Sequence, residues 1–472
     1  MEQLSGLDAA FVYAEAAGAA HVTFFAIYDP STAPGGAPTF DDVVTHIGAR
    51  LGSDPIFRSA LARVPFDLDH PYWVRDAHFK LSQHLHHVTL PSPGGWRQLY
   101  EQVSHLHEQQ MDLRRPPWEG YFIDGLGGIE GVPQDAFVLC FKMHHSAVDG
   151  VTGLSIVNAV HTPTRETAPA PVDDWTPEPH PSSLNLLVRT AGTYARRPAQ
   201  LVSAARHNIP LLTRLPGALT RLMPIGRGRE RGPAGDVPHT PFNQPTDGRR
   251  NFEARAYDLA AVLAARTLVP NATVNDVVLT GIGGALRNYL LEKGELPESS
   301  LVTMIALAEH VEGQRGANQL AVTRVTLGTN IADPADRLRA VHESTAQSKA
   351  SVEAVGPKTL VEDAEFLPGA VLVPAIRLAR AAHLGKYWPS GWIANTYVTT
   401  MRGPQEPIYL LGARMIAGYA LSPFTQGGGL MHNVFTYCGR VLVSINGCPS
   451  TLPDIERYGD CMDAAFADLL SR

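Results

Sequence analysis

The sequence is poor in lysine, in cysteine and in long apolar runs, and each shortage excludes something. Only six of its 39 cations are Lys, leaving 33 Arg. Its four cysteines (Cys140, Cys438, Cys448, Cys461) lie too far apart for a zinc knuckle or a CxxC pair. Cys140 sits inside an apolar run, where a free thiol behaves as a small hydrophobe, so a reduced, intracellular protein is expected. No uninterrupted apolar stretch reaches the ~18 residues of a membrane-spanning helix. The N-terminal stretch carries Glu2, Asp8 and Glu15 and no basic region, unlike a signal peptide. A net charge of −7 argues against general nucleic-acid binding. There is no GxSxG elbow and no HExxH pair.

What is present describes a folded chain: 44% apolar and 18% charged residues over a length of 472. That length is too great for one ordinary core, so two domains of roughly 200 residues are expected. Residues 1–162 alternate strand-like runs (His21 to Tyr28, Phe137 to Met143) with helical ones. From Trp96 to Met111, Leu99, Val103, Leu106 and Gln110 share one helical face. Residues 163–250 break this rhythm: Pro163 to Pro181 is proline-rich and reads as a semi-rigid linker. Leu186 to Arg231 then holds nine Arg against Glu230 alone, interleaved with leucines. Such a segment suits either an anionic membrane surface or a solvated helix pair packed on the body. The third part, 251–472, opens with Asp258 and Thr273 as helix caps, Asp276 as box partner of Thr273, and Gly294 as a stop. Strand-like runs follow at 301–307, 320–327, 434–437 and 441–445, with a final amphipathic helix from Asp454. Helices alternating with strands on both sides of the linker point to two α/β sandwiches.

Residues 142–151, KMHHSAVDGV, carry the strongest chemical signal. With 19 His and 42 Gly, chance predicts HHxxxDG on the order of 0.003 times in such a chain. The motif falls between an apolar strand and a helix-like GVTGLSIVNAV. Adjacent histidines point to opposite sides of an extended chain, so both rarely ligate one metal ion, and no second ligand cluster accompanies them. Asp-Gly is also a common turn pair. A general base fits best, because a neutral imidazole can take a proton from a hydroxyl as it attacks a carbonyl carbon. Asp149 either orients the histidine or pairs with a distant Arg to hold the turn. Gly150 gives the backbone freedom beside the ring and lets a substrate approach.

HHSAVDG matches the signature of the CoA-dependent acyltransferase superfamily. The wider chain resembles the bacterial wax ester synthase/diacylglycerol acyltransferase branch through LSGLDAAFVYAE (4–15), PPWE (116–119), NDVVL (275–279) and IYLLGAR (408–414). The resemblance implies two chloramphenicol-acetyltransferase-like α/β domains with a tunnel between them that crosses the histidine. By the same resemblance His145 is the base, His144 its helper, and Asp149 a support for the loop. Acyl-CoA would be a substrate, with no cofactor, and a diacylglycerol or long-chain alcohol the acceptor. The expected place is cytoplasmic, with peripheral contact to the inner membrane or lipid droplets left open, as is the oligomeric state.

The chain departs from the family pattern in places. TTMRGP (399–404) stands where members read SNVPGP, IALAE (305–309) where they read PVSxR, and Pro117 replaces Leu in PLWE. Acceptor choice is therefore open. Gly150, Asn275, Asp276, Thr400 and Gly403 are candidate substrate-binding residues. Against that role, Asn275 and Asp276 also fit a helix-cap network, and Thr400 and Gly403 a tight turn. Trp118 fits core packing or a substrate platform, and Trp388 and Trp392 fit packing or a lipid interface.

Overall fold

The computed structural model of the protein describes residues 1–14, 20–148, 159–166, 169, 172–195, 237–308, 320–355, 394–424 and 428–472. The first part of the chain forms β1 (Glu2–Gln3), α1 (Gly6–Ala14), β2 (His21–Asp29), α2 (Phe40–Gly48), β3 (Ser59–Ala62), β4 (Tyr72–Arg75), β5 (Leu85–Thr89), α3 (Trp96–Glu108), β6 (Trp118–Asp124) and β7 (Phe137–His144). The last part forms β8 (Asn251–Asp258), α4 (Leu259–Ala265), α5 (Val274–Lys293), β9 (Val302–Ala308), β10 (Leu320–Thr326), α6 (Pro334–Val355), β11 (Thr396–Arg402), β12 (Tyr409–Leu410), β13 (Ala413–Leu421), β14 (Leu430–Tyr437), β15 (Arg440–Gly447) and α7 (Ile455–Leu470).

These elements make two six-stranded mixed sheets, in the orders β12-β13-β2-β7-β6-β5 and β10-β9-β11-β14-β15-β8, and a small sheet β1-β4-β3. This is the α/β architecture that the alternating pattern implies. One core, with Phe25, Trp118, Phe137 and Leu139, underlies the first sheet and extends across to Phe252, Tyr419 and Phe435. A second, with Val277, Ile282, Leu286 and Phe466, lies between the second sheet and its helices. Local chemistry agrees with the caps expected: Thr273 and Asp276 close a capping box on α5, and Gly294 ends it in the left-handed region at φ 70°.

Three features differ from the sequence-based expectations. First, a boundary at 250/251 divides the chain but not the sheets. β13 pairs with β2 from Arg414↔Asp29 to Leu421↔Thr23, so the IYLLGAR block lies on the first sheet. Leu411 and Gly412 turn the β12–β13 hairpin at φ 51° and 83°. A Cβ on Gly412 would sit 2.7 Å from Pro34 Cδ, so the hairpin presses on the loop after β2. Second, α3 stops at Glu108 and Gln110 is exposed, while His107 joins the buried face. The Gln109 carbonyl, past the end of the helix, accepts the buried Lys142 ammonium at 2.6 Å. Third, the described part of the proline-rich segment is docked on the body. Arg58 pairs with Asp173 at 2.5 Å and covers the Trp175 ring at 4.7 Å, and the Glu178 carboxylate meets the Met1 ammonium at 3.0 Å.

Candidate active site

β7 is buried along its whole length, lying between β2 and β6. Its end is fixed from both neighbours: the His144 amide donates to the Pro117 carbonyl at 3.0 Å, and the His145 amide donates to the Ala20 carbonyl at 2.8 Å. Pro117 thus costs nothing here, since its carbonyl is what the site uses and β6 begins after it. The two histidines then part company. His144 is fully buried, whereas His145 opens a single 3₁₀ turn and stays partly exposed.

His144 Nδ1 accepts the Ser146 amide at 3.2 Å and lies 2.7 Å from the Ser146 hydroxyl. An amide can only donate, so Nδ1 carries the lone pair and the ring proton is on Nε2. Burial, then the neighbouring His21 and His145, push the His144 pKa down to about 3. The ring is therefore neutral at physiological pH. Beneath it lies a buried polar layer covered by α3. The rings of His21 and His144 are 6.0 Å apart and those of His21 and His107 6.3 Å, and Thr23 Oγ1 lies 2.8 Å from His107 Nδ1. Lys142 donates to Glu119 at 3.1 Å, and the Tyr121 hydroxyl donates to the same oxygen at 2.7 Å. Burial alone would raise the Glu119 carboxyl, but Lys142 and the hydrogen bonds hold it below its ordinary value. This accounts for the acid of PPWE. Trp118 of the same block is buried core, donating its indole N–H to the Phe57 carbonyl at 2.8 Å and stacking on His84 at 4.9 Å.

His145 has a different setting. Burial lowers its pKa and a bond with its own backbone partly opposes this. Its Nδ1 is buried without a hydrogen-bond partner among the other described residues. The Phe11 ring of α1 lies parallel to the imidazole, with centroids 4.0 Å apart and planes 18° apart. Phe11 and Ser146 escaped the sequence reading, although Phe11 lies in the LSGLDAAFVYAE block. Asp149 and Gly150 lie outside the described residues, as do Trp388, Trp392 and Arg196 to Arg231.

The remaining candidates gather on α5 and at β11 of the second sheet. Asp276 Oδ2 accepts the Thr273 amide at 2.8 Å and its hydroxyl at 2.9 Å, as a cap should. The same oxygen meets His342 Nδ1 of α6 at 3.0 Å, a partner the sequence did not signal. Asn275 turns the other way, and its Oδ1 accepts the Thr400 hydroxyl at 2.9 Å. NDVVL and TTMRGP are thereby joined through one hydrogen bond. The Gly403 amide donates to the Thr436 carbonyl at 3.0 Å, and a Cβ there would collide with that oxygen and with the Phe435 ring. Asn275 and Thr400 thus join α5 to β11 of the second sheet, whereas His144 ends β7 of the first and His145 opens the turn after it.

Residues 4–278 match the wax ester synthase/diacylglycerol acyltransferase catalytic domain, and residues 316–470 match the WS/DGAT C-terminal domain. A protein of Mycobacterium tuberculosis that carries the provisional name diacylglycerol O-acyltransferase is 32% identical over 475 residues, covering 100% of this chain and 90% of its own. A similarly named protein of Mycobacterium bovis is 30% identical, with 99% of both chains covered. Among solved structures, the wax ester synthase/diacylglycerol acyltransferase from Marinobacter aquaeolei VT8 superposes with a TM-score of 0.67 at 25% identity, covering 99% of this chain and 98% of that one. The condensation domain of the monacolin K polyketide synthase shares the fold, with a TM-score of 0.53 at 12% identity over 100% of this chain and 96% of its own. The chain belongs to the wax ester synthase/diacylglycerol acyltransferase family of acyltransferases.

Proposed function

We propose that the chain moves a long-chain acyl group from acyl-CoA onto the hydroxyl of a diacylglycerol or long-chain alcohol, with His145 as general base. The observation that carries this is the contrast between two adjacent histidines. His144 is buried, neutral and tied to Ser146, whereas His145 is partly exposed and its ring makes no hydrogen bond at Nδ1 to another described residue. His145 Nε2 takes the acceptor's hydroxyl proton as that oxygen attacks the thioester carbonyl carbon. The tetrahedral oxyanion collapses with cleavage of the C–S bond, and the CoA sulfur leaves with the proton from the imidazolium. His144 stays uncharged beside it, so the imidazolium meets no second cation on its own turn. Asn275, Asp276, Thr400 and Gly403 bound the acceptor side, where Thr400 in place of the family's Asn sets acceptor choice. Thiol release from palmitoyl-CoA with diacylglycerol, comparing wild type with His145→Ala, tests the assignment. A loss of at least about 100-fold is expected, and undiminished turnover removes His145 from the mechanism.

One patch favours peripheral contact with an anionic lipid surface. Phe66 is 89% exposed at the tip of a turn, and Leu184 (69%) and Val188 (64%) point outward from a helix over 183–195. Leu186 of that helix packs in a cluster with Val64 and Tyr72, and the Tyr194 hydroxyl donates to the Leu68 carbonyl at 2.7 Å. The helix and the Phe66 turn are thus packed together, and the arginine-rich stretch follows the helix in sequence. No helix among the described residues is long and apolar enough to cross a membrane.

A further inference from the structure

We propose that Phe11 is a positioning residue for the base: its ring holds the His145 imidazole in place and favours the protonated form that transfer creates. This rests on His145 acting as the base. α1 is clamped by its own start and one face. Ser5 and Asp8 cap it, with the Asp8 amide donating to the Ser5 hydroxyl at 3.1 Å and that hydroxyl donating to the Asp8 carboxylate at 2.6 Å. Ala9, Val12 and Tyr13 sit one helical turn apart and pack with Leu4 and Leu61 against the small sheet. At 100° per residue, Phe11 points away from that face, toward the turn that carries His145.

Phe11 is only partly buried, and it joins none of the hydrophobic clusters of the described residues. What its ring meets is the imidazole, face to face at 4.0 Å. An aromatic face attracts a cation, and more strongly where water is thin. The stack therefore strengthens when His145 takes the acceptor's proton, and it resists rotation of the ring away from the hydroxyl. Among the described residues, the other titratable groups around the turn are His144 beside His145, His21 from β2 and Asp8 on α1. His144 remains neutral in the working range, and Asp8 is engaged by Ser5.

The test is the pH dependence of kcat/KM for Phe11→Leu, Phe11→Trp and His145→Ala, using palmitoyl-CoA and diacylglycerol. Phe11→Leu should lower the plateau of kcat about 3- to 10-fold while the KM for acyl-CoA holds. Its acid limb should also move to lower pH by about half a unit, because the imidazolium has lost its partner. A purely structural role would lower the plateau without moving the limb. Phe11→Trp keeps a face over the ring, so its plateau should stay within about 2-fold, with a limb at or above the wild-type pH. It also covers the case in which the leucine variant folds poorly, and a limb below wild type in Phe11→Trp overturns the proposal. If His145→Ala is inactive while Phe11→Leu matches wild type in plateau and limb, Phe11 has no such role and the base stands. If His145→Ala retains activity, the base assignment falls and the proposal with it.

Discussion

Ser146 addresses His144 twice at one ring nitrogen, through its amide at 3.2 Å and its hydroxyl at 2.7 Å. Because the amide must donate, the hydroxyl donates as well, and one histidine of the pair is locked as a neutral acceptor. Ser146→Ala removes one of these two bonds in a buried setting. A stability loss of about 1 kcal/mol is expected in urea unfolding. The kcat should fall only a few-fold, as the amide still fixes the tautomer.

Stability should weaken in acid for a reason independent of catalysis. His144 and His432 are fully buried, with pKa values pushed down to about 3, chiefly by burial. The unfolded chain takes up these protons near pH 6.5 and the folded chain does not until about 3. Stability is therefore complete above about 6.5 and lost as pH falls toward 3, at about 1.4 kcal/mol per unit per histidine. Urea midpoints at pH 7 and pH 5 measure this. His432→Gln should flatten the slope, because the neutral amide cannot charge, and an unchanged slope would exclude His432 as a source.

Thr400 reaches Asn275 across the gap between β11 and α5 at 2.9 Å. Thr400→Val should cost less than about 1 kcal/mol, the hydrogen bond being near the surface. If the pair bounds the acceptor, the acceptor KM should change several-fold while the acyl-CoA KM holds. Parallel shifts in both constants would mark the pair as a strut only.

At Gly403 a methyl group has nowhere to go, since the Thr436 carbonyl is backbone held within β14. Gly403→Ala should destabilise the protein by about 2 kcal/mol or more through overpacking. Differential scanning calorimetry would register it as a drop of several degrees in Tm.

For the lipid surface, Phe66→Asp combined with Val188→Asp should reduce cosedimentation with phosphatidylglycerol vesicles about 10-fold, leaving soluble-substrate turnover intact. Wild-type binding should weaken as salt rises from 0.05 to 0.5 M, values chosen to span strong and weak screening. Binding equal in variant and wild type would place any contact elsewhere.

Much of the site was legible because its signals are local. HHSAVDG follows an apolar strand in the sequence and in space, and the Thr273–Asp276 box needs only a three-residue spacing. Residues that complete the site from afar were not legible. Phe11 reaches His145 across 134 positions, and His342 reaches Asp276 across 66. Neither pairing leaves a periodicity that one chain segment could carry.

The sequence by itself determined the α/β class, the caps of α5, the apolar strands β2 and β7 and the place of the two histidines between strand and turn. All of these follow from side-chain period and backbone preference within about ten residues. Tertiary structure alone decided that β13 crosses to the first sheet, that Lys142 takes the Gln109 carbonyl past the end of α3, and which histidine is buried. Burial and electrostatics depend on what packs from distant segments, and there His144 became the buried, neutral ring and His145 the ring beneath Phe11.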